Sequence, residues 1–143
     1  MEKTYEEWVR MYEEKTGKKF TRDEKYRLFF FPERGFCEVA VDVDVGIAVI
    51  RNLCGDARFW RRVVECIAQS FGIKCCGTYC LRNIRPYIRL FGFKIVRTEE
   101  RGEYLRYHGI DENGCKGTAS PCGMDDETGR MNYMITWEVP DVV

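Results

Sequence analysis

Three short apolar runs near the start of the chain constrain the fold more than any other feature. "RLFFF" (27–31), "FCEVAVDV" (36–43) and "GIAVIR" (46–51) read as strands, broken only by "PERG" and "DVG". Parallel strands need a crossover of about a dozen residues or more, so links this short force an antiparallel meander. In the middle run Cys37, Val39, Val41 and Val43 alternate with Glu38, Ala40 and Asp42, which predicts one buried face and one wet face.

The pattern then switches to a helical period. Residues 57–70 predict a helix with Val63, Val64, Ile67, Ala68 and Phe71 as its buried stripe. Arg58, Arg61, Arg62 and Glu65 form its outer face, and Asp56 is placed to cap its first turn. "IKCCGTYCL" (73–81) reads as the next strand, so residues 46–81 make a right-handed strand–helix–strand crossover with parallel strands. Ahead of the meander, residues 4–16 carry Tyr5, Trp8, Val9 and Tyr12 on one helical face. Thr4 with Glu7 gives that helix a capping box and Gly17 a stop. Thr21 with Glu24 repeats the box, predicting a short helix or turn over 21–28. After the crossover come a short helix within 82–92, strands at 93–100 and 103–110, a polar loop at 111–129 and a last strand at 130–139. Pro86 suits the short helix only in its first turn, where its missing donor does no harm. The expected fold is a single mixed α/β domain over residues 1–143, its sheet mostly antiparallel with one parallel crossover.

Charge points to an anionic ligand. The chain is neutral overall, but residues 46–106 hold 12 basic and 5 acidic side chains, a balance of +7. A field of one sign concentrates the opposite charge. No run of 18 apolar residues is present, and "MEKTYEEWVR" at the start lacks an apolar core, so a cytoplasmic protein without a membrane span is expected. In that compartment the eight cysteines are thiols, with Cys37 and Cys66 read as small core residues.

The polar stretch Asn52-Leu53-Cys54-Gly55-Asp56-Ala57 leaves one strand of the crossover and opens the helix. Such a turn presents free backbone N–H groups at a positive dipole end, which suits a pyrophosphate. Glycine at 55 permits close approach of backbone to ligand. Farther on, "RNIRPYIRLFGFKIV" supplies Asn83, Tyr87, Gly92 and Phe93 in order. This order and these motifs, over about residues 27–100, resemble the GNAT superfamily of N-acyltransferases, which bind acetyl-CoA. The family loop reads Gln/Arg-x-x-Gly-x-Gly/Ala; here Asn52 stands at its first position and Arg51 one place early. The resemblance implies that backbone amides from Leu53 to Arg58, including Cys54, Gly55, Asp56 and Ala57, cradle the CoA pyrophosphate, with Arg58 and Arg61 adding charge. It implies that strand 46–51, Ile50 included, splays from strand 73–81 and hydrogen-bonds the pantetheine arm, with Asn52, just beyond that strand, also against the cofactor. Asn83 would contact the cofactor, Tyr87 would protonate the leaving thiolate, and Glu38 would act as base toward a small-molecule or peptide amine. Three departures stand beside this. Asp56 puts a carboxylate in the phosphate loop, the spacing from Asn83 to Gly92 is about two residues short, and Tyr87 lies one place off the family position. A second reading is therefore a catalytically inactive relative with a structural or binding role, such as some phage-encoded proteins have, self-associating as a homodimer.

Other constellations are weaker. Cys76 and Cys80 have zinc-ligand spacing, but Cys115 and Cys122 are too far apart to complete a site. Cys54 at a helix start would need His108, the only histidine, as its base. Arg82, Arg85, Arg89, Lys94 and Arg97 among aromatics could grip nucleic acid, but no nucleic-acid motif accompanies them. The acids of 111–129 lack calcium-loop spacing, and in an acyltransferase they would attract the amine.

Overall fold

A computed structural model describes residues 2–81 and 83–141. Among these residues three helices pack on one eight-stranded mixed sheet. The elements run α1 (Tyr5–Thr16), β1 (Arg27–Phe31), β2 (Gly35–Asp42), β3 (Ile47–Gly55), α2 (Ala57–Ser70), β4 (Cys75–Cys80), α3 (Ile84–Leu90), β5 (Lys94–Arg101), β6 (Tyr104–Ile110), β7 (Lys116–Met124) and β8 (Met131–Glu138). Spatial order is β1-β2-β3-β4-β8-β7-β6-β5. Among the described residues only β3 and β4 pair in parallel, as the crossover requires. No helix among the described residues is long and apolar enough to cross a membrane.

Local chemistry explains the helix ends. Thr4 accepts from the Glu7 amide and Glu7 returns the bond, while Gly17 closes α1 in the left-handed conformation at φ 71°. Asp56 caps α2 by accepting from the Phe59 amide. Pro86 falls in the first turn of α3. Residues 23–26 form a turn, with the Tyr26 amide donating to the Asp23 carbonyl at 2.9 Å, and not a second helix.

Two expectations about the sheet are corrected. The stretch 111–129 is no loop: β7 crosses it and pairs with both β6 and β8. Its Gly, Ala and Pro look like loop chemistry, yet they sit in a paired strand, and Gly117 is small because it lies under an aromatic ring. A Cβ on Gly117 would meet the Phe93 ring at 2.9 Å. Gly117 faces Trp137, Ala119 faces Ile135 and Pro121 faces Tyr133. Second, the first half of β2 has no wet face: Phe36 to Val39 are all buried, Glu38 at 0 % exposure, and only Asp42 at the far end of the strand is exposed. α1 covers the side that alternation leaves to water, and Trp8, Tyr12, Phe36 and Cys54 form a small core beneath it. The larger core fills the opposite face under α2 and α3, around Ile50, Trp60, Val64, Phe91, Ile135 and Trp137.

α2 also turns a different side inward. Trp60, Arg61, Val64, Glu65 and Ala68 are buried, whereas Phe71 and Cys66 are exposed. Arg61 and Glu65 are inside because they are paired there. Arg61 bonds Glu65 at 3.0 Å, Asp111 at 2.6 Å and the Phe91 carbonyl at 2.7 Å, and Trp137 donates to Glu65 at 2.8 Å. A buried charge is tolerated only with such partners.

Candidate functional site

The parallel ladder between β3 and β4 stops at Ile50↔Thr78. β3 continues to Gly55, held by β2 alone, while β4 runs on to Cys80 beside β8. The divergence opens a cavity of about 250 Å³. Arg51, Asn52 and Leu53 line one side of it, Tyr79, Cys80 and Leu81 the other. Tyr87 of α3 forms part of the wall, itself buried and edge-on to Phe91 at 5.0 Å. Tyr12, Thr16, Lys18 and Lys19 reach it from the end of α1 and just beyond, Asp125 from the β7–β8 turn and Asn132 from the start of β8.

A bulge makes β3 bend here. Register shifts between Phe36↔Cys54 and Glu38↔Arg51, and Asn52 sits at φ 51°. Asparagine tolerates that conformation better than most residues. Its side chain is fixed at both ends: Tyr12 Oη donates to Asn52 Oδ1 at 2.6 Å, and Asn52 Nδ2 donates to Glu38 Oε1 at 2.6 Å. Burial pushes the Tyr12 phenol up to about 12, against the lowering pull of the Arg51 guanidinium, so it stays a donor at neutral pH. Glu38 does not line the cavity. It lies behind Asn52 and Arg51, bonded by Arg22 at 2.5 Å and by Arg51 at 3.3 Å.

The sequence-predicted phosphate loop is largely not a loop. Asn52 to Gly55 belong to β3, and Ala57 and Arg58 to α2. Leu53, Cys54 and Ala57 are buried, Cys54 beneath α1 with its sulfur toward the Trp8 carbonyl. Gly55, at φ 111°, makes its close approach to Arg34 and not to open space: a Cβ there would lie 2.2 Å from the Arg34 oxygen. The first turn of α2 already holds a carboxylate. Asp56 accepts from the Phe59 amide at 3.1 Å, and Arg34 donates to it at 2.5 Å. Burial favours its neutral form, but the Phe59 amide and Arg34 outweigh that and hold it below the usual carboxylate range.

Free positive charge gathers a short way off. A groove of about 470 Å³ lies between the start of α2, α3 and the start of β5. Its lining among the described residues includes Arg58, Arg85, Arg89 and Lys94 and no carboxylate. Arg61 is not available beside them, being bound to Glu65, Asp111 and Phe91. Asn83 is exposed at the start of α3 and lines neither space. Ile50 is fully buried at the last rung before the strands part. Arg82 lies outside the described residues.

The remaining constellations are dispersed. Cys54 is on β3 and His108 on β6, four strand positions apart and so about 19 Å by the usual spacing. His108 pairs with Glu99 instead. Cys76 and Cys80 point into the core from one face of β4. Sequence reasoning missed Tyr12, Lys18, Lys19 and Asn132 as cavity residues; no local pattern marks them, since chain-distant segments bring them together. A scan against protein-family models finds no match, and no curated protein matches the chain.

Proposed function

We propose that the chain is an acyl-CoA-dependent N-acyltransferase of GNAT-like fold, transferring acetyl from acetyl-CoA to a primary amine. The observation that carries the reading is the parting of β3 from β4 after Ile50↔Thr78, with Tyr87 on the wall of the resulting cavity. Beyond Ile50 no strand among the described residues pairs with the edge of β3 facing β4, so an extended pantetheine arm can pair with it. The donor phosphates would sit on Arg58, Arg85, Arg89 and Lys94, a side-chain cradle in place of backbone amides.

In the reaction the amine nitrogen attacks the thioester carbonyl. A C–N bond forms, the C–S bond breaks, and Tyr87 gives its proton to the departing thiolate. The amine's proton leaves to solvent. Glu38 orients the wall through Asn52 and Tyr12 rather than taking that proton itself. A thiol-release assay with acetyl-CoA and an amine panel tests this. Tyr87→Phe should cut turnover about 10²–10⁴-fold, the usual worth of general acid catalysis, with acetyl-CoA binding retained. Unchanged turnover would remove Tyr87 from the chemistry.

One observation favours a second reading, a non-catalytic relative that serves as a binding partner. The Asp56 carboxylate, tied to Arg34, stands where the anion of a donor would rest on α2. That reading expects neither acetyl-CoA binding nor thiol release.

A further inference from the structure

The two outer strands of the sheet, β1 and β5, differ in kind. β5 is blunted. Five of its eight residues are charged, Glu99 is paired to both Arg97 and Arg101, and a bulge falls between Ile95 and Arg97. Charges and bulges of this kind keep an edge from pairing with another chain. β1 reads Arg-Leu-Phe-Phe-Phe, holds no proline, and pairs with β2 in unbroken register over all five residues. β2 takes one edge of its backbone. Beyond that ladder the β1 backbone makes one bond among the described residues, from the Arg34 amide to the Phe31 carbonyl in the hairpin turn.

The side chains of β1 are apolar on both faces. Leu28 and Phe30 lie toward α1, Phe29 and Phe31 toward α2. Phe30 is 36 % exposed and Phe31 55 %, each steadied by one ring, Tyr5 at 5.6 Å and Phe59 at 5.7 Å. Charge then selects the partner. Arg27 opens β1, and Glu33 lies two residues beyond its end. Both are exposed, and neither has an ion pair among the described residues. Glu24 and Lys25 offset each other ahead of Arg27, and Arg34 is taken by Asp56. The strand is thus positive at its start and negative past its end. A parallel copy of it would set like charge on like charge, whereas an antiparallel copy sets opposite charges together at both ends.

We propose that a second copy of this chain pairs with β1, strand to strand and antiparallel about a two-fold axis through the middle of β1, so that one sheet continues into the next. The free backbone groups of the two outer edges bond each other. Leu28 and Phe30 cover their counterparts on one face, Phe29 and Phe31 on the other. Arg27 of each copy lies at the Glu33 end of its mate. The pairing goes beyond the acyl-transfer reading and does not rest on it. β1 is two strands from β3, and none of residues 27–31 lines the cavity between β3 and β4.

Sedimentation equilibrium on the full chain, from micromolar to millimolar, tests the pairing. A reversible monomer–dimer equilibrium is expected and nothing larger, since a two-fold contact closes on itself. Hydrogen exchange read by mass spectrometry should show the amides of 27–31 slowing as the dimer forms, with those of β5 unchanged. Arg27→Glu and Glu33→Arg, both at exposed positions, should each weaken the dimer about ten-fold, because like charges then meet at both ends. Mixing these two variants in equal amounts should restore the wild-type affinity, because every reversed charge again meets its opposite. A chain that stays monomeric at millimolar concentration overturns the proposal. So does a dimer whose 27–31 amides exchange as fast as the monomer's, a dimer that neither charge reversal weakens, or a mixture no tighter than its two components.

Discussion

Gly55→Ala should destabilise the fold rather than report on any ligand. The added Cβ would lie 2.2 Å from the Arg34 oxygen and 2.9 Å from its carbonyl carbon, with the residue held at φ 111°. That backbone region costs a non-glycine residue about 1–3 kcal/mol. Relief of the clash means moving Arg34, whose carbonyl accepts from the Asp56 amide at 2.9 Å and from Trp60 Nε1 at 2.8 Å. Each hydrogen bond lost there is worth about 1 kcal/mol net. The total is about 3–5 kcal/mol, or roughly 10–15 °C in melting midpoint for a chain of this size. Gly17→Ala is the matched control: φ is 71°, nothing lies within 4 Å of its Cβ, and only the backbone term of about 1 kcal/mol applies. Melting followed by circular dichroism compares the two. A Gly55→Ala midpoint no lower than that of Gly17→Ala would refute the claim that this glycine serves the β2–β3 pairing.

Other substitutions follow from the same contacts. Glu38→Gln removes the buried charge that the partly exposed Arg22 and Arg51 share, and should cost about 1–3 kcal/mol in denaturant unfolding. Asp56→Ala should cost about 1 kcal/mol as a lost cap and, by clearing a carboxylate from the α2 terminus, should tighten acetyl-CoA binding at low salt. Burial alone would raise Asp111, but Arg61 and the Cys115 and Asn113 amides hold it below the usual carboxylate range. Its contribution to stability is therefore full above the unfolded pKa of about 4 and is lost as pH falls through the lower folded value. Wild type should lose stability below about pH 4, and Asp111→Asn should flatten that slope in acid titration of the melting midpoint.

Where local chemistry decides, sequence and structure agree. Thr4, Glu7 and Gly17 bound α1; Asp56 opens α2; the short links enforce the meander. The disagreements come from partners far along the chain. Arg61 reads as surface until Asp111, fifty residues later, meets it. The small residues of β7 read as loop until the strand is seen paired with β6 and β8, with the Phe93 ring over Gly117. Glu38 reads as wet because alternation alone says nothing of α1 covering that face. At the candidate site, the parting of β3 and β4 and the basic middle of the chain were legible. The carboxylate at the α2 terminus was visible as Asp56, but its anchoring by Arg34 depends on a hairpin contact that no local pattern reveals.

Thermal melting with acetyl-CoA, with adenosine diphosphate as control, tests the central claim most directly. At a hundred times the dissociation constant a ligand adds about 2.7 kcal/mol, or roughly 5–10 °C here. The account predicts that shift with acetyl-CoA well beyond the control, and its loss in an Arg58→Glu, Arg89→Glu variant. No shift at millimolar acetyl-CoA would contradict it and leave the divergence of β3 and β4 to some other ligand.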